Sequence, residues 1–415
     1  MVVPAQTGNE TNLKLPFFFI FTSMVALVGS QVLLLLQGDF MVAGVFRVPG
    51  IWAAAHLFIL GWALMVAMGA MYQLVPVAFL TPIWSEKFGF VQFFVTAIGV
   101  FWFAHALFYT PGSALFPGIL AVLGILMFLF QMFMTLRKQA KPNILTLYVG
   151  TALFFLLTTI GLGITLLAGM RYGMDGNIYM GIIKTHVLLG TTGWFTLLIF
   201  GFSYKMVPMF ALSHGYTMAP ANYVYPIYAA GLVAAIISFF IDSEALLTVA
   251  LFLLFAGFAL FVYHISIIVK KRFKKKLDIS FIFALIAIIS GGLLHLAAFI
   301  AAVFGYFNAI AGPLLFLYIV LWIDFSIIGY LYKIVPFLWW TAKYSKAIGK
   351  QNVPTLKDMI NDKAAVPIFS GMVLGIIGVA AAIFSGSKML YLPSEILFAA
   401  ACVAFCFSIG KVVTK

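Results

Sequence analysis

The chain is divided into apolar runs long enough to cross a bilayer, and this constrains its fold more than any motif does. A spanning helix needs about 20 predominantly apolar residues. Twelve such runs are present, at roughly 15–37, 50–76, 88–109, 115–136, 144–168, 180–208, 222–241, 246–269, 279–304, 308–338, 365–385 and 389–411. Only 8% of the 415 residues are charged, against about 25% in a soluble domain. That is too little charge to coat a water-exposed surface, which excludes a soluble enzyme, a nucleic-acid-binding domain and a disordered chain. The expected fold is an all-α polytopic membrane protein, a single transmembrane domain over 1–415 with the lipid bilayer as its partner. The connections are short except 339–364, a polar, basic segment expected to be a cytoplasmic loop.

The net charge of +13 reads as topology, because the positive residues lie between the apolar runs. With a cytoplasmic N-terminus, the gaps facing outward hold Arg47, Arg171, Lys184 and Lys388, and the other 20 of the 24 Lys and Arg fall on the inner side. The densest run is Lys270, Lys271, Arg272, Lys274, Lys275 and Lys276. This asymmetry places both termini inside. The first run lacks a small-residue cleavage site, so it reads as a span and not as a cleaved signal.

A motif recurs on the second, sixth and tenth runs. Trp62, Gly69, Tyr72 and Val75-Pro76 are matched by Trp194, Gly201, Tyr204 and Val207-Pro208, then by Trp322, Gly329, Tyr332 and Val335-Pro336. Trp to Gly is 7 residues, Trp to Tyr 10 and Trp to Pro 14 in all three. A period of four spans divides twelve transmembrane helices into three quasi-equivalent units of four; the common twelve-helix transporters are built from two halves instead. Small residues at helix contacts account for part of the motif by packing alone, and proline is expected to stop each helix at its inner end.

Histidines carry the functional argument. His56, His186, His105 and His295 lie on four different spans, within roughly 6–14 Å of the outer boundary at 1.5 Å per residue. Ionisable groups inside a membrane are costly and mark functional sites, and neutral imidazole is the commonest metal ligand. Each also has a bland reading, as a neutral ring bonded to a backbone carbonyl. His264 and His214 read as structural and solvated.

Twelve helices in three groups of four, with His56 and His186 ahead of Trp62 and Trp194, resemble subunit I of the haem-copper oxidase superfamily, including nitric oxide reductases and the nitric-oxide-response membrane haem proteins. The resemblance covers the chain through its layout, and its sequence support lies in the motifs on spans 2 and 6. It implies a haem, b-type, with His56 matching the low-spin haem ligand and His186 the first copper ligand. The family's His pair on helix 7 has no counterpart in Asn222-Tyr-Val-Tyr-Pro. Counting back from Trp322 reaches Leu314 and Phe316, which ligate nothing. The resemblance is therefore to a divergent member without the usual copper-site histidines, and copper is a secondary expectation. A bis-histidine haem pairs His56 with His295, or His186 with His105, by depth. Arg47, Arg171, Lys184 and Lys388 are the cations available to propionates. The implied activity is electron transfer, or chemistry or sensing of a diatomic gas (nitric oxide or oxygen), with oxidase- or reductase-like catalysis as an extension and a quinol or cytochrome donor or respiratory subunits as partners.

Asp324, two residues after Trp322, is a candidate proton relay, with Ser326 and Tyr330 near it. Glu395 is expected at the interface near the outer end of the last span. Cys402 and Cys406, and the stripe Met65, Met68 and Met71, read as packing. The alternative function is a transporter, permease or metal- or haem-handling protein that kept the bundle without redox activity.

Overall fold

The structure, a computed structural model, describes residues 12–350 and 352–415. In hydrocarbon every backbone N–H and C=O must be satisfied within its own segment, and each apolar run closes into a helix accordingly. Twelve helices among the described residues are long and apolar enough to span: α1 Lys14–Leu36, α2 Pro49–Phe79, α3 Glu86–Tyr109, α4 Leu115–Leu136, α5 Ile144–Tyr172, α6 Gly176–Ala211, α7 Ala221–Ile241, α8 Glu244–Lys270, α9 Ile279–Val303, α10 Phe307–Ala347, α11 Asp362–Ser385 and α12 Lys388–Thr414. No strand is present among the described residues; Ser213 and Arg272 form an isolated bridge. The protein is an all-α, multi-pass integral membrane protein. Large apolar side chains such as Val25, Phe154, Leu374 and Phe407 stand exposed on the spans, the arrangement expected where lipid is the solvent.

Local sequence sets the helix starts. Ser85, Asn143, Asp175, Ser243, Asn361 and Ser387 cap α3, α5, α6, α8, α11 and α12, each side chain accepting from backbone N–H groups of the first turn. The prolines do not stop the helices as the sequence suggests. α2 runs three residues past Pro76 and α6 three past Pro208, because proline removes only its own hydrogen bond and the ladder re-forms beyond it. Both then end on a leucine in the left-handed region, Leu80 (φ 52°) and Leu212 (φ 53°), each four residues after the proline. α10 continues through Pro336 to Ala347. The segment 339–364 is consequently shorter as a connection than its polarity suggests. Its first residues are helical and its last belong to α11. Between them Thr355 and Asp358 form a capping box and the Trp340 Nε1–H donates to the Pro354 carbonyl at 2.7 Å.

By contact density the described residues form two compact units, one of 12–139, 278–284, 327–350 and 352–415, the other of 140–277 and 285–326. Within them one set of contacts is built three times. The motif glycine of each long helix packs on the helix before it. A Cβ on Gly69 would lie 2.8 Å from the Pro16 carbonyl oxygen of α1, on Gly201 3.0 Å from Tyr148 Cβ of α5, and on Gly329 2.7 Å from the Ala284 nitrogen of α9. The motif tyrosine reaches the helix two further on: Tyr72 meets Phe128 of α4 at 6.3 Å between ring centroids, Tyr204 meets Phe261 of α8 at 5.4 Å, and Tyr332 meets Phe405 of α12 at 5.5 Å. The third and fourth helices of each group form a glycine-mediated hairpin, through Gly99 on Ala121, Gly257 on Tyr228 and Gly375 on Phe398. The recurring sequence motif thus corresponds to a recurring four-helix packing unit.

Candidate functional site

The three motif tryptophans share an unusual backbone. A π-helical turn interrupts α2 at Leu57–Leu64, α6 at Leu189–Phe195 and α10 at Tyr318–Asp324, and Trp62, Trp194 and Trp322 lie in these turns, at most 1% exposed. Widened turns of this kind recur at functional sites. They fall on the most enclosed helices, with 67%, 83% and 67% of the spanning window buried in α2, α6 and α10 and no more than 50% in any other.

In the second unit the π turns of α6 and α10 meet α7 and α9 around His295. The Trp322 Nε1–H donates to Thr196 Oγ1 at 3.0 Å, and Thr196 Oγ1 lies 2.6 Å from the Tyr318 hydroxyl. Tyr318 faces the Tyr228 hydroxyl, which lies 3.1 Å from His295 Nε2. His295 Nδ1 lies 2.8 Å from the Gly291 carbonyl. A carbonyl only accepts, so Nδ1 carries the proton and Nε2 accepts from Tyr228. Phe258 packs on the imidazole at 4.4 Å and Trp322 on Phe258 at 4.9 Å. Gly291 is required here, since a Cβ would fall 2.4 Å from Phe258 Cζ and 2.9 Å from the Trp322 ring. Both ring nitrogens of His295 are thereby engaged by the protein, and the residue does not fit the role of a haem ligand in this arrangement. Phenylalanine at position 295 is expected to leave Tyr228 without its acceptor and to cost about 1–3 kcal/mol, read by denaturation in detergent, while leaving any haem content intact.

The other histidines divide clearly. His56 ends the α-helical first part of α2. Half-buried, it donates from Nδ1 to the Trp52 carbonyl at 2.8 Å, with its ring edge-on to Phe103 at 5.3 Å. His186, also half-buried, precedes the π turn of α6 and donates from Nδ1 to the Thr159 carbonyl of α5 at 2.9 Å; its Cε1 lies 3.2 Å from where a Cβ on Gly163 would be. In both rings the carbonyl fixes the tautomer whose lone pair is on Nε2, the arrangement typical of a metal-bound imidazole. His105 is exposed on α3, against Tyr109 at 4.8 Å. His264 lies 2.9 Å from the Thr217 carbonyl through Nε2. His56 and His105 belong to the first unit, His186 and His295 to the second. His56 and His186 thus share one arrangement, an Nδ1–H held on a backbone carbonyl, which His295, engaged at both nitrogens, and His105, exposed, do not share. Among the described residues no group of three or more His, Cys, Asp or Glu is placed to hold a metal ion.

The cations considered for propionates have protein partners. Lys388 pairs with Asp39 at 2.5 Å, Arg171 lies over the Tyr172 ring at 5.6 Å and Lys184 over Phe239 at 5.8 Å. Asp324 and Ser326 are fully buried. Asp324 follows Trp322 by two residues, which turns it roughly to the opposite side of α10 from Thr196. Glu395 is not interfacial: it is 0% exposed, on the packed face of α12 beneath Tyr391. An open cleft of about 700 Å³ between α5 and α7 is lined by Thr146, Thr151, Phe154, Tyr225 and their neighbours and by no histidine.

The sequence reading did not find the partners of His295. Tyr228 and Tyr318 carry no sequence signal beyond a tyrosine placed well inside an apolar span. No protein-family model matches this sequence, and no curated protein is significantly similar to it.

Proposed function

We propose that the chain is a membrane haem protein similar to subunit I of the haem-copper oxidases but without a copper centre, acting in electron transfer or in chemistry or sensing of nitric oxide or oxygen. The observation that carries the reading is the matched pair His56 and His186. His56 sits just ahead of the π turn of α2 and His186 just ahead of that of α6, the long helices of two of the three four-helix groups, and each holds its Nδ1–H on a backbone carbonyl. His56 and His186 are the residues that would hold iron, each through Nε2. The bound haem would supply a one-electron couple whose potential depends on ligand, burial and nearby hydrogen bonds. The protein's part is to fix each imidazole by its carbonyl bond and to close the site with aromatic side chains, Phe103 beside His56 among them. On this reading the protein lies in a bacterial cytoplasmic membrane with both termini inside, an orientation that the charge asymmetry supports.

The purified protein is expected to show a strong Soret band that shifts on reduction with dithionite. A folded, colourless protein contradicts the reading and favours the second one, a permease. That second reading rests on two fully buried carboxyl groups, Asp324 and Glu395, and uptake assays with Asp324→Asn test it.

A further inference from the structure

Glu395 plays no part in the haem reading. It is 0% exposed, and neither of its carboxyl oxygens has a hydrogen-bond partner. An ionised carboxylate shut away from water without a donor is strongly disfavoured. A second orphan lies on the neighbouring helix. Gln31 of α1 is 1% exposed, and its Oε1 also has no partner. The orientation of this amide is fixed by chemistry. Ser30 spends its O–H on the Leu27 carbonyl at 2.7 Å and so can only accept from Gln31, whose nitrogen lies 3.2 Å away. With its nitrogen on Ser30, Gln31 presents its oxygen elsewhere.

Register brings the two orphans to one level. The Tyr391 hydroxyl donates to the Leu34 carbonyl at 3.0 Å, and the Tyr391 ring packs where a Cβ on Gly38 would lie 3.0 Å away. α1 and α12 run antiparallel through this contact, both within the first unit. One turn further along α12 is Glu395, and one turn back along α1 is Gln31. Of these three acceptor oxygens, one proton satisfies two: on the carboxyl it makes Glu395 a donor, and the Gln31 carbonyl accepts it. No counter-charge is then needed.

We infer that Glu395 is a reversible proton-binding site in the membrane, its protonated form hydrogen-bonded to Gln31. The proton comes from water at the face where Asp39 and Lys388 form an exposed pair, about 10 Å along α12 from Glu395 at 1.5 Å per residue, and returns there when the carboxylate re-forms. The charged and titratable groups on the packed elements are few. Lys411 lies at the far end of α12; α2, which meets α12 through Trp62 and Phe405, carries His56 and Tyr72; and α10, which meets Phe405 through Tyr332, carries Lys333. Tyr391 and Lys388 lie toward that face on α12, and Cys402 and Cys406 lie deeper. Asp39 is on the short helix Gly38–Val42. Lys14 on α1, and Asp362 and Lys363 on α11, are at the far ends of their helices. The inference is independent of the haem reading.

Infrared spectra of the full-length protein in lipid nanodiscs, recorded over a pH series, test it. A carboxylic-acid carbonyl band is expected that is lost in Glu395→Gln, fades reversibly as pH rises, is unchanged by exchanging sodium for potassium, and moves to higher frequency in Gln31→Leu. Three results overturn the proposal: no Glu395-dependent acid band at any pH, a band that never titrates, or one governed by sodium in place of pH, which would make this a metal-cation site. An acid band that ignores Gln31→Leu overturns the pairing.

Discussion

Alanine at His56, and separately at His186, is expected to abolish the visible absorption of the purified protein. The expectation follows from how each ring is held. The backbone carbonyls of Trp52 and Thr159 take the Nδ1 protons, so the lone pair of each ring is committed to Nε2, and removing the imidazole removes the only proposed ligand on that helix. Bulk at Gly163 gives a graded control. Gly163→Val adds atoms where a Cβ alone already lies 3.2 Å from His186 Cε1, so it displaces the ring and is expected to lower haem content without unfolding α5. His105→Ala is expected to change nothing, because that side chain is exposed on α3. Unchanged spectra in both His56→Ala and His186→Ala remove the site assignment.

The second large effect concerns the repeat. Trp62→Ala and Trp322→Ala are each expected to cost about 3–5 kcal/mol, a large share of the roughly 5–15 kcal/mol that holds a typical protein folded. Each ring is 0% exposed and reaches an aromatic residue on another helix, Phe405 for Trp62 and Phe258 for Trp322. Trp322→Ala also takes the indole N–H from Thr196. The motif glycines are expected to follow in smaller steps. Alanine at Gly69 or Gly329 places a methyl against backbone atoms, which cannot rotate away, and is expected to cost about 1–3 kcal/mol. Gly201→Ala meets Tyr148 Cβ at 3.0 Å, the widest of the three gaps, and is expected to cost less. Unfolding in a graded detergent series measures all five. Losses below about 1 kcal/mol for both tryptophans contradict the view that the motif marks a packing unit.

The sequence carries the repeat openly because its contacts depend on residue size at fixed spacing. Gly69, Gly201 and Gly329 must be small where a helix crosses, and that necessity is written in the chain. The π turns are not written there, since they arise from how a helix adjusts to its neighbours around a buried indole. The environment of His295 was hidden for a related reason: sequence gives a residue's depth along a span but not the direction it faces, and Tyr228 and Tyr318 become its partners only through packing. Glu395 shows the same gap. Its place near a helix end suggests an interfacial carboxylate, yet the short helix Gly38–Val42 packs on α12 there and Tyr391 closes over it. Proline misleads in the opposite sense, marking an end that the helix passes by a turn.

The most direct measurement is the iron and porphyrin content per chain of the full-length protein, purified in mild detergent. A bound iron porphyrin in the wild type, absent from a folded His56→Ala/His186→Ala variant, is the predicted result. A well-folded wild-type chain carrying neither iron nor porphyrin would contradict the account.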